Sequence, residues 1–439
     1  MGTVAIRGGT LVTMGHAGTL TGDLLIEDGR IATVGGRAGP ADTEIDATGC
    51  LVVPGYVQTH VHLCQTAFRG LAEDLDVMEW LRHWVWPLER ALDAGTMSAS
   101  CRLGAAELLL SGTTTFLSME SVHHTDESFA AVADLGARAF IGKALMDHRE
   151  PGTPLLGEST EEAWADLLRL YERWHGKEDG RLNMAVSPRA PRGASPRLWT
   201  DAAEFAARAG LTLHTHVNEN HDQSELVSGD SYGRDVHALY AWGALTERMV
   251  MAHCVWLDHS EMDLIARTGA TVAHCPSANL KLASGIAPVP ALLARGVNVA
   301  LGADGAACNN TLDMQHEMRL ASLVQRPLHG PDAMPAERVL AMATLGGAKA
   351  LGLAGEIGSL ETGKKADLQL VAAPLLGHGD TRLAARHLVH TATAADVRTV
   401  LVDGRIVVQD GRLTRGDLDG IHRDAVSARS RLLSALSTD

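Results

Sequence analysis

The chain has 439 residues, with 38 Lys+Arg against 53 Asp+Glu, and its formal net charge of −15 excludes a nucleic-acid or anionic-membrane surface as its partner. A hydrophobic share of 46% and a charged share of 21% match ordinary globular usage and exclude general disorder. The 21 His outnumber the Phe, Trp and Tyr together (5, 8 and 4), which directs attention to metal or proton chemistry.

The first fifty residues alternate short β-type runs with turn signals: VAIRGGTLVTM, then DLLIEDGRIATVG with a hairpin turn at Asp28-Gly29, then EIDATGCLVVPG. From Pro54 onward eight apolar runs follow: VQTHVHL, TTTFLSM, RAFIGKALM, LNMAVSP, LTLHTHV, MVMAHCV, ATVAHCP and VNVALGAD. Helical stretches such as EEAWADLLRLYERWHG and PRLWTDAAEFAARAG separate several of them. Repeated βα units in one block predict a parallel (β/α)₈ barrel over 54–355, with an open doubly wound sheet as the alternative. β texture returns in EIGSLETGKKADLQLVA and DVRTVLVDGRIVVQDGRL, where Asp403-Gly404 is a second hairpin signal. Residues 1–53 and 356–415 are therefore expected to form one small sheet domain, and 416–439 an amphipathic terminal helix.

The six cysteines (Cys50, Cys64, Cys101, Cys254, Cys275 and Cys308) contain no CxxC pair and read as reduced thiols. The N-terminal MGTVAIRGGTLVTMG has no basic region followed by an apolar one, and no run approaches the length of a membrane span. A cytoplasmic protein is expected.

In a parallel barrel, functional groups gather at the C-terminal ends of the strands. His60 and His62 in QTHVHL are spaced i, i+2, which puts both imidazoles on one face of the first strand. The fifth strand ends LHTHVNEN; His214 and His216 share a face, either could point inward, and Glu219 follows just past the strand end. His253 ends the sixth strand, His274 the seventh and Asp304 the eighth. Each residue alone has an ordinary explanation in packing or solvation. Together they point to His60, His62, His216 and Asp304 on one divalent ion, with an open position for water.

These segments also carry a resemblance. PGYVQTHVHLCQTAFRGLAEDL, HTHVNEN, AHCVWL, HCPSANLKLASGIAPV and LGADGAACNNTLDMQHEMRLASLVQ resemble the amidohydrolase superfamily, specifically its mononuclear deaminase branch, and the match runs from about Gly8 to Gly411. The resemblance implies a distorted (β/α)₈ TIM barrel holding one Zn²⁺ or Fe²⁺, a small β-sandwich from both termini, and homo-oligomers (dimers or tetramers). It further implies that His253 accepts a proton from the attacking water, that Glu219 protonates a ring nitrogen of the substrate, and that Asp304 helps pass a proton to departing ammonia. The reaction implied is hydrolytic deamination of an amino-substituted N-heterocycle, so a small molecule is the expected partner.

Within that superfamily the deaminases of S-adenosylhomocysteine, methylthioadenosine and 5′-deoxyadenosine look most similar, which makes a 5′-modified adenosine the expected substrate. Guanine or a related oxopurine or pterin, an s-triazine, and a cyclic amide are the alternatives. Glu89, in WVWPLERAL, falls where adenosine-type enzymes hold ribose hydroxyls. Arg189, in SPRAPRGAS, is similar to guanine deaminases and would read a purine oxygen or nitrogen, while Gln65 would recognise a base edge. Trp86 lies on a segment that caps the pocket in this family, with Trp80 and Trp84 read as core or subunit interface. His123, beside His124, follows the second strand and could line the mouth, with a solvated loop pair as the other reading.

Lys143 raises a binuclear alternative, in which a carbamylated Lys bridges two metals, although it lies on the third strand and the fourth has none. A barrel keeping a structural metal as a binding scaffold is the non-enzyme alternative, opposed by the presence of Glu219 and Asp304. His214 and His274 are expected to support the ligands from behind. Asn279 and Lys281 are read as ordering the strand-seven loop, and Cys64, Cys254 and Cys275 as packing.

Overall fold

The computed structural model describes residues 2–147, 156–221, 233–376 and 381–437. The N-terminal segment forms β1 (Val4–Val12), β2 (Thr19–Glu27), β3 (Arg30–Val34), β4 (Thr43–Asp46) and β5 (Cys50–Pro54). Next come β6 (Tyr56–His62), β7 (Thr113–Glu120), β8 (Arg138–Leu145), β9 (Leu182–Pro188), β10 (Thr212–Val217), β11 (Met249–His253), β12 (Thr271–His274), β13 (Asn298–Leu301) and β14 (Asp304–Gly305). The chain ends with β15 (Leu368–Ala372), β16 (Val397–Val402), β17 (Arg405–Gln409), β18 (Arg412–Leu413) and the helix Leu418–Leu436.

All eight expected barrel strands are present, in one sheet ordered β13-β12-β11-β10-β9-β8-β7-β6-β14. Their pairings are parallel, and β6 to β8 are buried throughout, which accounts for continuous apolar runs where an antiparallel sheet would alternate. The eighth run is split. β13 pairs with β12 up to Leu301, and the strand resumes as β14 against β6, with Asp304 opposite Val61. Gly302 makes the crossing, and a Cβ there would lie 2.7 Å from the His60 carbonyl oxygen, so only glycine lets the ring close at this point. This break is the distortion of the barrel.

The surrounding helices start where the sequence supplies side-chain caps. Asp93 with Thr96, Ser159 with Glu162, and Asp258 with Glu261 form reciprocal capping boxes for Ala94–Leu110, Thr160–Trp174 and His259–Thr268. The terminal helix packs on Ala94–Leu110. Among the described residues no helix is long and apolar enough to cross a membrane.

The two ends of the chain share one nine-stranded sheet, ordered β18-β17-β16-β15-β5-β1-β2-β3 with β4 beside β1. The halves meet where β5 runs antiparallel to β15, Leu51 opposite Val371. Ile6, Leu11, Leu24, Ile26, Leu368 and Leu401 fill the core of this sheet. Arg138, at the start of β8 and 2% exposed, anchors the sheet to the barrel: its guanidinium donates to Asp367 (2.8 and 3.1 Å) and Asp403 (2.8 Å). Breaking such a buried set is far more costly than losing a surface pair.

Candidate active site

Four donors converge inside the barrel: His60 and His62 on β6, His216 on β10 and Asp304 on β14, with one ligand atom of each within 4.8 Å of the others. Asp304 Oδ1 lies 3.1 Å from both His60 Nε2 and His62 Nε2. The tautomers follow from the backbone. His62 Nδ1 donates to the Met119 carbonyl and His216 Nδ1 to the Arg189 carbonyl, each at 2.6 Å, because a carbonyl can only accept. Both Nε2 lone pairs are then bare, yet they face each other at 3.2 Å. That spacing is repulsive for two acceptors, and it matches the ~3.3 Å between neighbouring donors of a tetrahedral ion with 2.0–2.1 Å bonds. His60 Nε2 is likewise buried without a hydrogen-bond partner. The residues fit one divalent cation.

Burial holds His60 (pushed down to about 4) and His216 neutral, the form in which imidazole is a ligand. Burial would raise Asp304, but His60 and His62 outweigh it and keep this carboxylate well below its ordinary range. His214 also points inward: its Nε2 lies 2.7 Å from His60 Nδ1, and when it accepts the hydrogen bond of that N–H, His60 Nε2 is left for an ion.

Beside the cluster, His253 Nε2 lies 3.7 Å from Asp304 Oδ2 and 3.9 Å from Glu219 Oε1. Its other nitrogen is held by Asn279 Oδ1 at 2.8 Å, which places the proton on Nδ1 and leaves Nε2 a bare acceptor. Burial pushes the Glu219 carboxyl up, so it keeps a proton at higher pH than an ordinary glutamate, although His253 opposes the shift. Asn218, His253 and Asp304 all adopt left-handed backbone (φ 45°, 69° and 62°), strain of about 1–3 kcal/mol apiece that characteristically collects at functional sites.

These groups open into a cavity of about 920 Å³, solvent at its mouth included. Gln65, Trp80, Trp86 and Arg189 line it together with Met78, Leu81 and Met146. Trp80, expected in the core or an interface, is buried in the core and also lines the cavity beside Trp86, while Trp84 packs against the core. His123 is a correction: it is exposed, and neither it nor His124 lines the cavity. The loop after β7 turns left-handed at His124 to start the helix Thr125–Leu135.

Glu89 is a second correction. It does not line the cavity, and its carboxylate is already engaged by Arg189 (2.6 and 3.0 Å), Gln65 (2.9 Å) and Ser121 (3.3 Å). The sequence separation of 100 residues between Glu89 and Arg189 hides this pairing from any local pattern. Arg189→Ala is expected to cost about 3–5 kcal/mol of unfolding free energy, because Glu89 would remain buried without its cation. A denaturant midpoint within error of wild type would refute that expectation.

Other residues divide similarly. Lys143 is spent on Glu158 (2.8 Å) and Asp166 (3.1 Å), which removes it from the metal cluster and with it the observation behind a binuclear site. His274 is buried with neither ring nitrogen partnered and lies outside both the cluster and the cavity lining. Lys281 ties its loop to Glu73, Asn310 and the Ala307 carbonyl. Cys64, Cys254 and Cys275 are buried free thiols. Sequence reasoning missed Asp235, a cavity residue whose Oδ2 accepts the Asn218 amide at 2.9 Å and whose carboxyl burial pushes up to about 7. No spacing in the sequence signals it.

Comparison with known proteins places this geometry. The Amidohydrolase family profile matches residues 51–407. The chain is 42% identical over 402 residues to the 5′-deoxyadenosine deaminase of Methanothermobacter thermautotrophicus, covering 90% of this chain and 91% of that one. It is 39% identical over 425 residues to the 5-methylthioadenosine/S-adenosylhomocysteine deaminase of Desulforudis audaxviator, covering 95% and 96%. An adenosine deaminase from Xanthomonas campestris with bound zinc superposes with a TM-score of 0.90 at 29% identity, over 98% of both chains.

Proposed function

Since the chain belongs to the amidohydrolase family, we propose that it is a metal-dependent hydrolase that releases ammonia from a 5′-modified adenosine. The observation that carries this reading is the convergence of Glu219, His253 and Asp304 beside the four-donor cluster, on the wall of one cavity. Zinc is the ion we assign, since three imidazoles and a carboxylate suit it; Fe²⁺ is the alternative. When bound, the ion supplies water acidified towards neutral pH.

His253, with Nε2 bare, is placed to accept a proton from an attacking water. Glu219, its carboxyl raised by burial, donates a proton to the ring nitrogen beside the attacked carbon, which makes that carbon electrophilic. Asp304 assists the proton transfer to the departing amine, which leaves as ammonia and not as amide ion. The apolar wall of Met78, Leu81 and Met146 suits 5′ substituents that lack a hydroxyl. Six free cysteines, five of them buried, support the cytoplasmic expectation.

One observation favours a second reading. Arg189 lines the cavity beside Gln65, and its guanidinium is a donor of the kind that recognises a ring carbonyl oxygen. That wall suits an oxopurine or pterin. The deciding experiment is metal analysis with ammonia release from 5′-deoxyadenosine, methylthioadenosine, S-adenosylhomocysteine, guanine, an aminopterin and an aminotriazine. Turnover of the adenosines is expected; turnover of guanine with none of the adenosines would replace the first reading by the second.

A further inference from the structure

We propose that Glu317 is a positioning residue that sets His253 and Asp304 relative to each other through Asn279 and Asn309. Glu317 lies on the helix Met314–Leu323 and is 0% exposed. Its Oε1 accepts the Asn309 amide at 2.9 Å and the Ser277 hydroxyl, and its Oε2 accepts the Ser277 backbone N–H at 3.3 Å. Among the described residues no cation pairs with it, so three neutral donors alone hold a carboxyl in the core, and burial pushes it up to about 7. A group so placed is costly to bury.

Its bonds reach two loops. Ser277 lies in Pro276–Lys281, two residues before Asn279, whose Oδ1 fixes the His253 ring. The Asn309 amide also donates to the carbonyl of Ala303 at 2.6 Å, and the Ala303 N–H is held by Gln58 Oε1 at 3.1 Å. Ala303 immediately precedes Asp304. One carboxyl thereby anchors both the turn that carries Asn279 and the asparagine that holds the peptide before Asp304.

The catalytic half of this assignment rests on the deaminase reading, whereas the ring tautomer is observable without turnover. The test compares the zinc-loaded wild type with Glu317→Gln, Asn279→Ala and the double variant. It reads long-range ¹H–¹⁵N correlations of the His253 ring, zinc content, and steady-state ammonia release from 5′-deoxyadenosine. The wild type should show Nδ1 protonated and Nε2 bare. Glu317→Gln presents an amide nitrogen to the Ser277 N–H, and should show mixed tautomers with kcat lowered about 10–100-fold, KM within about twofold and zinc retained. In the ring signature the double variant should match Asn279→Ala alone, because both changes act on His253 through Asn279, while its kcat should fall further through the Asn309 path to Asp304. A wild-type ring signature in Glu317→Gln, or a double variant whose kcat equals that of Asn279→Ala, would overturn the assignment. If Glu317→Gln does not fold, Ser277→Ala, which removes only the hydroxyl bond, decides by the same ring signature. A wild type inert on 5′-deoxyadenosine would sink the substrate reading, and the tautomer would still decide the role of Glu317.

Discussion

Glu219→Gln is expected to retain its metal and lose roughly 10²–10⁴-fold in ammonia release, the usual weight of a general acid–base group. Glu219 stands outside the four-donor cluster, so the cation has no reason to leave when its carboxyl becomes an amide. The exchange keeps shape and burial but abolishes the proton that burial preserves on this side chain. A ring nitrogen left unprotonated withdraws too little charge for attack at the neighbouring carbon, so the loss should appear in kcat with binding largely intact. Metal analysis of the purified variant together with an ammonia assay checks both halves. Turnover within severalfold of wild type would remove Glu219 from proton transfer.

Asp304→Ala should fail differently, losing ion and rate together. Asp304 is the only anion among the four donors and lies equally close to His60 and His62. Without it three neutral imidazoles face a dication in a buried site, with nothing to offset its charge. Changes to residues that merely support ligands already cost 10–100-fold in metal affinity, so removal of this ligand should cost more than about 100-fold. Turnover should fall below about a thousandth of wild type, since the nucleophile goes with the ion. Competition with a chelator of known affinity measures the first and the ammonia assay the second. An Asp304→Ala enzyme that still holds stoichiometric metal would move the ligand set elsewhere. The contrast with Glu219→Gln separates holding the ion from handling protons.

The parts of this site that were legible in the sequence are those governed by strand periodicity. His60 and His62 point the same way because alternate residues on a strand must, and the ends of parallel strands gather at one mouth whatever the loops do. His214 and His216 could not be told apart on that basis, since both share the inner face and differ only in depth. What stayed hidden depends on where loops meet. Glu89 with Arg189, Asn279 with His253, and Glu317 with Ser277 and Asn309 are each brought together by tertiary paths. The loop holding His123 followed the same rule. A helix after a strand is predictable, but which of its residues tilts over the cavity is decided by packing. In the fold, the eighth strand read as continuous because Gly302 interrupts no hydrophobic pattern, and its role as the crossing residue is visible only in its approach to His60.

The sheet shared by both chain ends imposes a schedule on biosynthesis. β5 is made early, yet its partner β15 lies about 320 residues downstream, since Leu51 pairs with Val371. At a ribosomal pace of about 5–20 residues per second, that edge waits roughly 15 to 65 s for its partner. During the whole of that interval the nascent chain carries an unpaired apolar strand edge, the feature most prone to join a neighbouring chain. The nascent chain is therefore most vulnerable while the barrel is being made, and premature termination anywhere before β15 should yield aggregates and not a soluble, metal-binding barrel.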